Sequence, residues 1–413
     1  MKKSIGIIVA LCFGAITFGQ NINNPNQGEK ADQLQLNTIT TAVPFLIITP
    51  DSRSGGMVDV GVAISPDANS IHWNTSKLVF SKEKAEFSAS YSPWLRQLVD
   101  DIHLSYVSGY TKLGDQHAVG GSIRYFSLGN ITFTDQIGNL IREFNPNEFE
   151  VTGSYAFRLS ERNAIGINGK FIHSNLTGGT NVGNVGSKAG VAGAVDISYS
   201  WYNQDLRIGD KDGVLAFGTT ISNIGNKIAY TVDSERDFLP TNWRFGSAFT
   251  VEFDKFNSLT SSVDFNKLLV PTPPAYNGDG DIISGKDPNV GVVTGMLQSF
   301  YDAPGDVSFD EQGNPLIKKN SRFGEEIREF NFGLGMEYWY STILAVRAGY
   351  FHEHYSKGNR RYLTFGAGIY FGVFGLDVSY LASVTQNNPL ANTVRFSLKF
   401  KFGNKKDDPS IEE

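Results

Sequence analysis

What most constrains this chain is an apolar–polar alternation of period two, recurring from Ala85 to Phe402. In one stretch Phe149, Val151, Gly153, Tyr155, Phe157 and Leu159 share a face, and Glu150, Thr152, Ser154, Ala156 and Arg158 take the other. In the last, Val394, Phe396, Leu398, Phe400 and Phe402 lie opposite Arg395, Ser397, Lys399 and Lys401. A soluble sandwich alternates too, but three features set this chain apart. The repeats run about 10 to 15 residues, close to what a tilted strand needs to cross a bilayer. The apolar faces end in Tyr, Trp and Phe, as an interfacial girdle does. The opposite face carries Gly, Ser, Asp and Arg, which suits a lumen and makes a poor dry core.

The remaining composition agrees. Aromatic residues are 13% of the chain, and there are 44 Gly against 4 Met. Past residue 20 no apolar run approaches the ~18 residues of a membrane helix. The mean hydropathy is below zero because alternating strands average their two faces.

The fold expected is all-β: a fourteen-stranded antiparallel transmembrane β-barrel with an N-terminal plug in its lumen. The strands are placed near 85–92, 101–112, 116–128, 147–159, 163–175, 188–203, 213–223, 241–253, 257–268, 326–339, 343–355, 360–373, 374–385 and 391–402. An even count puts both termini on one side. Tight turns at 113–115, 160–162, 254–256, 340–342 and 372–374 alternate with long links at 129–146, 176–187, 224–240 and 269–325. Bacterial barrels keep short turns in the periplasm and long loops outside, so both termini are expected in the periplasm. On this reading 204–212 is a longer inner turn and 356–359 a short outer link.

The chain then divides into four parts. Lys2, Lys3 and the apolar Ile5–Phe18 stretch predict a signal peptide, 1–19, cut after Gly19. Cys12 lies inside it and follows Leu11, which is too large for a lipoprotein site. The mature chain therefore holds no cysteine, which excludes a disulfide framework, a thiol nucleophile and a thiolate metal site. After cleavage 34 basic residues stand against 42 acidic ones, which argues against nucleic acid as a partner. Residues 20–84 form the N-terminal segment, with 31–80 read as the plug that so wide a barrel needs. Residues 85–402 are the barrel, and 403–413 a charged periplasmic tail.

Two resemblances refine this picture. The segment from Asp51-Ser-Arg-Ser-Gly-Gly-Met-Val-Asp to Ala63, followed by Pro66-Asp-Ala-Asn-Ser-Ile-His-Trp-Asn74, resembles the plug motif of FadL-type barrels. It departs from that motif at Met57-Val58 and at Asn74-Thr75-Ser76. Ala42–Arg53, Ser65–Asn69, Tyr91–Arg96 and Arg124–Gly129 resemble the PorV family of outer-membrane type IX secretion barrels. That resemblance implies a non-catalytic role without cofactors. Such barrels bind the C-terminal domain of secreted cargo, pair with the SprA/Sov-type translocon, and pass cargo to a sortase-like attachment complex. Outer-membrane lipid and lipopolysaccharide would surround the wall.

Candidate sites follow from both lines. In the plug they are Arg53, Gly55, Gly56, Asp59, Asp67, Trp73 and Asn74. Arg53 in a lumen needs acceptors, and Asp196, Glu252, Asp264 and Asp377 are the wall carboxylates considered for it. In the outer loops the candidates for cargo or partner contact are Trp94, Leu95 and Leu98, and Met296, Leu297, Phe300 and Tyr301 in the long 269–325 loop. An interfacial anchor is the plainer reading of Trp94. Asn277-Gly-Asp279-Gly-Asp281 echoes a calcium loop, but Ile282 and Pro288 stand where Gly and Glu belong, so no metal is assigned. His352, His354 and Ser356 on one strand face carry a hint of acyl-hydrolase chemistry without an orienting partner, and no catalytic residue is assigned. The competing functions are FadL-like passive transport of hydrophobic molecules and, behind it, lipopolysaccharide deacylation. Arg124, Arg158, Lys170, Asp196, Arg347 and Lys399 make the lumen faces polar, which disfavours the former.

Overall fold

A computed structural model describes residues 36–403, except 96–98, 100, 135–136, 138, 180–185, 232–235, 310–314 and 385–391. The predicted signal peptide, residues 1–19, and the 404–413 tail lie outside the described residues.

The alternation folds as expected into fourteen strands. They are β1 Ala85–Pro93, β2 Ile102–Leu113, β3 His117–Leu128, β4 Asn147–Arg158, β5 Asn163–Asn175, β6 Gly190–Ile208 and β7 Lys211–Gly225. Then come β8 Asn242–Glu252, β9 Asn257–Leu268, β10 Asn331–Tyr340, β11 Leu344–His352, β12 Arg361–Phe371, β13 Phe374–Ser383 and β14 Thr393–Phe402. Each pairs antiparallel with its neighbour in sequence. β14 closes the barrel on β1, from Ala85 opposite Phe402 to Tyr91 opposite Phe396. Closure leaves no unpaired edge, which a sheet in lipid requires.

The faces are inverted relative to a soluble protein. Along β12 Thr364 is fully buried, while Phe365 is 51% and Ile369 60% exposed. Many inward positions are polar, among them Ser108, Arg124, Glu150, Asp264 and Asp377. Outward aromatics cluster at both ends of the wall: Phe374 against Phe400 at one, and Phe265 between Phe245 and Phe332 at the other.

Some boundaries differ from the expectation. The 204–212 link is no long turn: β6 and β7 continue to Ile208 and Lys211, and Gly209 turns the chain with φ +67°. The register shifts between Asn203 and Leu206, which breaks the alternation that would have shown the strand continuing. At 326–339 the first residues are helical, and β10 starts only at Asn331.

Residues 42–81 are almost entirely buried and pack on the inward face of the wall. They form short pieces: a 3-10 turn at Pro44–Ile47, helix α1 Ser52–Gly55, helix α2 Ser70–Trp73 and a 3-10 run at Thr75–Phe80. Asp51 caps α1 by accepting from the Ser54 N–H at 2.9 Å, and Asn74 accepts from the Ser76 N–H at 3.2 Å. Met57, Val60, Ile64, Ile71 and Leu78 make a hydrophobic cluster with Ala118, Ala156, Ala164 and Ala216 of the wall. Small wall residues there leave room for the segment. The long link 269–330 carries two short hairpins and the helices α3 Val292–Gln298 and α4 Arg322–Arg328.

Candidate functional site

Arg53 is tied to both the wall and its own segment. Its Nε and Nη2 donate to the two carboxylate oxygens of Glu337 on β10, at 3.0 and 2.7 Å. Nη1 reaches Asp67 at 3.1 Å, and Ser65 accepts twice more. The network continues: Arg347 donates to Glu337 and to Asp377, each at 2.7 Å, and Lys399 to Asp67 at 2.8 Å. Three cations and three carboxylates are thus interleaved with almost no solvent contact. Removing one member of such a set strands a buried charge, at a cost of about 3–5 kcal/mol.

The wall carboxylates considered from sequence divide differently. Arg53 pairs with none of the four. Asp377 joins the network through Arg347 and Lys399, and Asp196 pairs with Lys170 at 2.9 Å. Asp264 accepts the Gly61 and Val62 N–H groups at 2.7 and 2.9 Å, and Glu252 is exposed. The sequence could not rank these because inward positions on all strands look alike; β10 register alone puts Glu337 opposite Arg53.

The other candidates of the segment sit where backbone meets wall. A Cβ on Gly56 would lie 3.0 Å from Gly366 Cα, and one on Gly55 2.8 Å from an Arg395 nitrogen. Asp59, in the left-handed region at φ 65°, accepts from the Tyr362 hydroxyl at 2.7 Å. Trp73 donates its indole N–H to Asp51 at 2.8 Å. Asn74 donates to Val62 O, Tyr199 O and Ser200 Oγ, at 2.9, 3.1 and 3.0 Å.

The loop candidates part company. Trp94 and Leu95 are half-buried, and Trp94 packs on a cluster of Phe45, Leu46, Leu104 and Phe126. The sequence placed Trp94 in an exposed apolar patch; it is instead half-buried against that cluster, and among the described residues there Val99 is exposed. Leu98 lies outside the described residues. In the long loop Val293, Leu297, Phe300 and Tyr301 are exposed, Leu297 by 62%, and Met296 is half-buried. Phe300 meets Trp243 of the wall edge-on, with centroids 6.0 Å apart.

What holds that loop was missed from sequence. Lys267 of β9 pairs with Glu329, and Lys357 with Glu325 and Glu329 at 2.6 and 3.1 Å. Thr272 donates its hydroxyl to Glu329 at 2.7 Å, and Asn37 its amide to Glu325 at 3.0 Å. Glu325 and Glu329 stand four apart, on one side of a helical turn, and that spacing was the available signal. Asp302 accepts the Thr272 N–H at 3.1 Å, and burial pushes its carboxyl up to about 6.

His352, His354 and Ser356 do not share a strand face, since β11 ends at His352. His354 Nδ1 accepts the Ser356 N–H at 3.3 Å and lies 2.9 Å from its hydroxyl, which caps a 3-10 turn at Tyr355–Lys357. Burial, with Arg328 and His352 nearby, lowers His354 to about 4, away from the range of a base at neutral pH.

Among solved structures, the toluene transporter TbuX of Ralstonia pickettii is 12% identical, over 87% of this chain and 100% of that one, with a TM-score of 0.45. The toluene transporter TodX of P. putida is 11% identical over the same shares, at 0.46. A FadL homologue of Pseudomonas aeruginosa is 12% identical over 89% and 99%, at 0.41. No curated protein matches the sequence. The model of the type IX secretion system protein PorV matches residues 30–275, more than half of the chain. The chain belongs to the PorV family and is a barrel component of type IX secretion at the outer membrane.

Proposed function

We propose that this barrel binds the C-terminal domain of secreted cargo at its long-loop end. It associates there with the SprA/Sov-type translocon and passes cargo to the sortase-like attachment complex. The observation that carries this is the 269–330 loop. Buried ion pairs to Lys267 and Lys357 fix it to the barrel, yet Val293, Leu297, Phe300 and Tyr301 stay exposed. A loop ordered on its underside and apolar on its outer side fits a docking surface.

The N-terminal segment serves as a plug that closes the lumen, and both termini face the periplasm. The ion network around Arg53 supports the first point, and the short turns at the end where the strands begin and finish support the second. FadL-like passive transport is the weaker reading, since a lumen occupied by the N-terminal segment and crossed by buried ion pairs offers a hydrophobic molecule no path.

The test is affinity capture of tagged protein from solubilised outer membranes, with mass spectrometry of what comes down. A very large barrel together with secreted proteins sharing one C-terminal domain supports the reading. A barrel recovered alone, or with lipid only, overturns it.

A further inference from the structure

Between the N-terminal segment and the ends of β8 to β12, beside Glu329 and the 353–360 link, lies a cavity of about 430 Å³, in the size range of small-molecule sites. Its lining combines apolar residues, Ile47, Leu268 and Phe351, with the asparagines Asn242, Asn266 and Asn331.

Arg244 enters this cavity held on two sides. Its Nε donates to Asn266 at 2.5 Å, and its guanidinium carbon lies 4.4 Å over the Trp73 ring. Trp73 is locked in turn by Asp51, and it fits only because residue 61 is glycine: a Cβ there would lie 2.2 Å from the indole. The two terminal nitrogens of Arg244 donate to no acceptor among the described residues and are not buried, so they open on the cavity.

The other charges of the cavity are matched. Lys357 pairs with Glu325 and Glu329, Arg360 with Glu353, and Asp59 accepts from Tyr362 with Arg395 3.9 Å away. Asp264, the nearby wall carboxylate, turns one oxygen to the Gly61 and Val62 N–H groups and makes no ion pair with Arg244 among the described residues.

A guanidinium fixed in plane with free terminal N–H groups is prepared for a planar, bidentate acceptor. A carboxylate has that shape. A dianionic phosphate would meet Asp59, Glu329 and Glu353 in the same space, whereas a single negative charge suits the open terminal nitrogens of Arg244 with less repulsion. The three amides select a ligand with its own polar groups.

We propose that the cavity is a binding site for a small polar monocarboxylate, gripped by Arg244 and oriented by Asn242, Asn266 and Asn331. This goes beyond the secretion role and stands whether or not the barrel engages cargo. It is a pocket and not a channel, because the segment from Asp51 to Phe80 fills the barrel beneath it.

The test is titration calorimetry on the intact barrel in detergent, with N-acetylleucine, its neutral amide N-acetylleucinamide, and inorganic phosphate. N-acetylleucine is expected to bind saturably, and the amide at least about tenfold more weakly, for loss of a charge-assisted pair. Phosphate is expected not to compete. Arg244→Gln should erase the preference for acid over amide while the barrel keeps its folded, heat-modifiable migration. Equal binding of acid and amide, competition by phosphate, or no binding of N-acetylleucine at millimolar concentration would each overturn the proposal. The comparison of acid and amide needs only the wild-type protein, so it decides the matter even where the variant fails to fold.

Discussion

Arg53 and Glu337 meet fork to fork inside the barrel, Nε and Nη2 on the two carboxylate oxygens, although 284 residues separate them in the chain. The pair joins the N-terminal segment to β10. Arg53→Ala leaves Glu337 paired with Arg347 and Asp67 with Lys399 as their remaining cations, in buried surroundings. The expected loss is about 3–5 kcal/mol of stability. It is read as a lower urea midpoint and a lower temperature for the heat-modifiable shift in detergent. An unchanged midpoint would show that the segment does not depend on this pair.

Acidity should tighten the long loop. Asp302 is raised to about 6 by burial, against an ordinary 3.8, with Glu329 adding to the rise. A carboxyl raised on folding binds its proton more firmly in the folded loop. Its stabilising contribution is therefore lost as pH rises through 6 and grows as pH falls from 6 towards 3.8. Between pH 7.5 and 5.5 the wild-type loop should become more resistant to limited proteolysis relative to Asp302→Asn measured at the same pH. Parallel behaviour of the two proteins would remove Asp302 from the explanation.

The exposed row on the loop should carry partner contact. Leu297→Asp and Tyr301→Asp place charge on side chains 62% and 57% exposed, so folding is expected to change by less than about 0.5 kcal/mol. Copurification of translocon and cargo should fall about tenfold or more, the scale of one interface anchor lost. Wild-type recovery of both partners from the double variant would move the docking surface elsewhere.

Topology can be read with single cysteines, because the only native one, Cys12, lies in the predicted signal peptide. A cysteine at Tyr276, in the long loop, should react with an impermeant maleimide on whole cells. One at Asp115, in the turn between β2 and β3, should react only after the outer membrane is opened. The reverse pattern would invert the barrel.

The strand alternation, the even count and the lengths of the connections were legible in the sequence, since each is local. Side chains point alternately along any strand, and a tilted crossing needs a set length. Hence the barrel, its closure in fourteen strands and the burial of Arg53 could be read from residue order. The boundary at Asn331 and the continuation of β6 past Asn203 could not. A helical turn docked on Lys267 and Lys357, and a register shift opposite β7, are settled by neighbours far away in the chain.

The same division holds for the sites. The sequence marked Arg53, Gly56, Asp67 and Trp73 as one unit, but not which wall residues receive them. It singled out Trp94, which is half-buried, and passed over Arg244, Lys267 and Glu329. An inward arginine on one strand resembles an inward arginine on any other. Whether it is paired or left with open donors depends on barrel register and on how the N-terminal segment threads the lumen, and only the tertiary structure decides both.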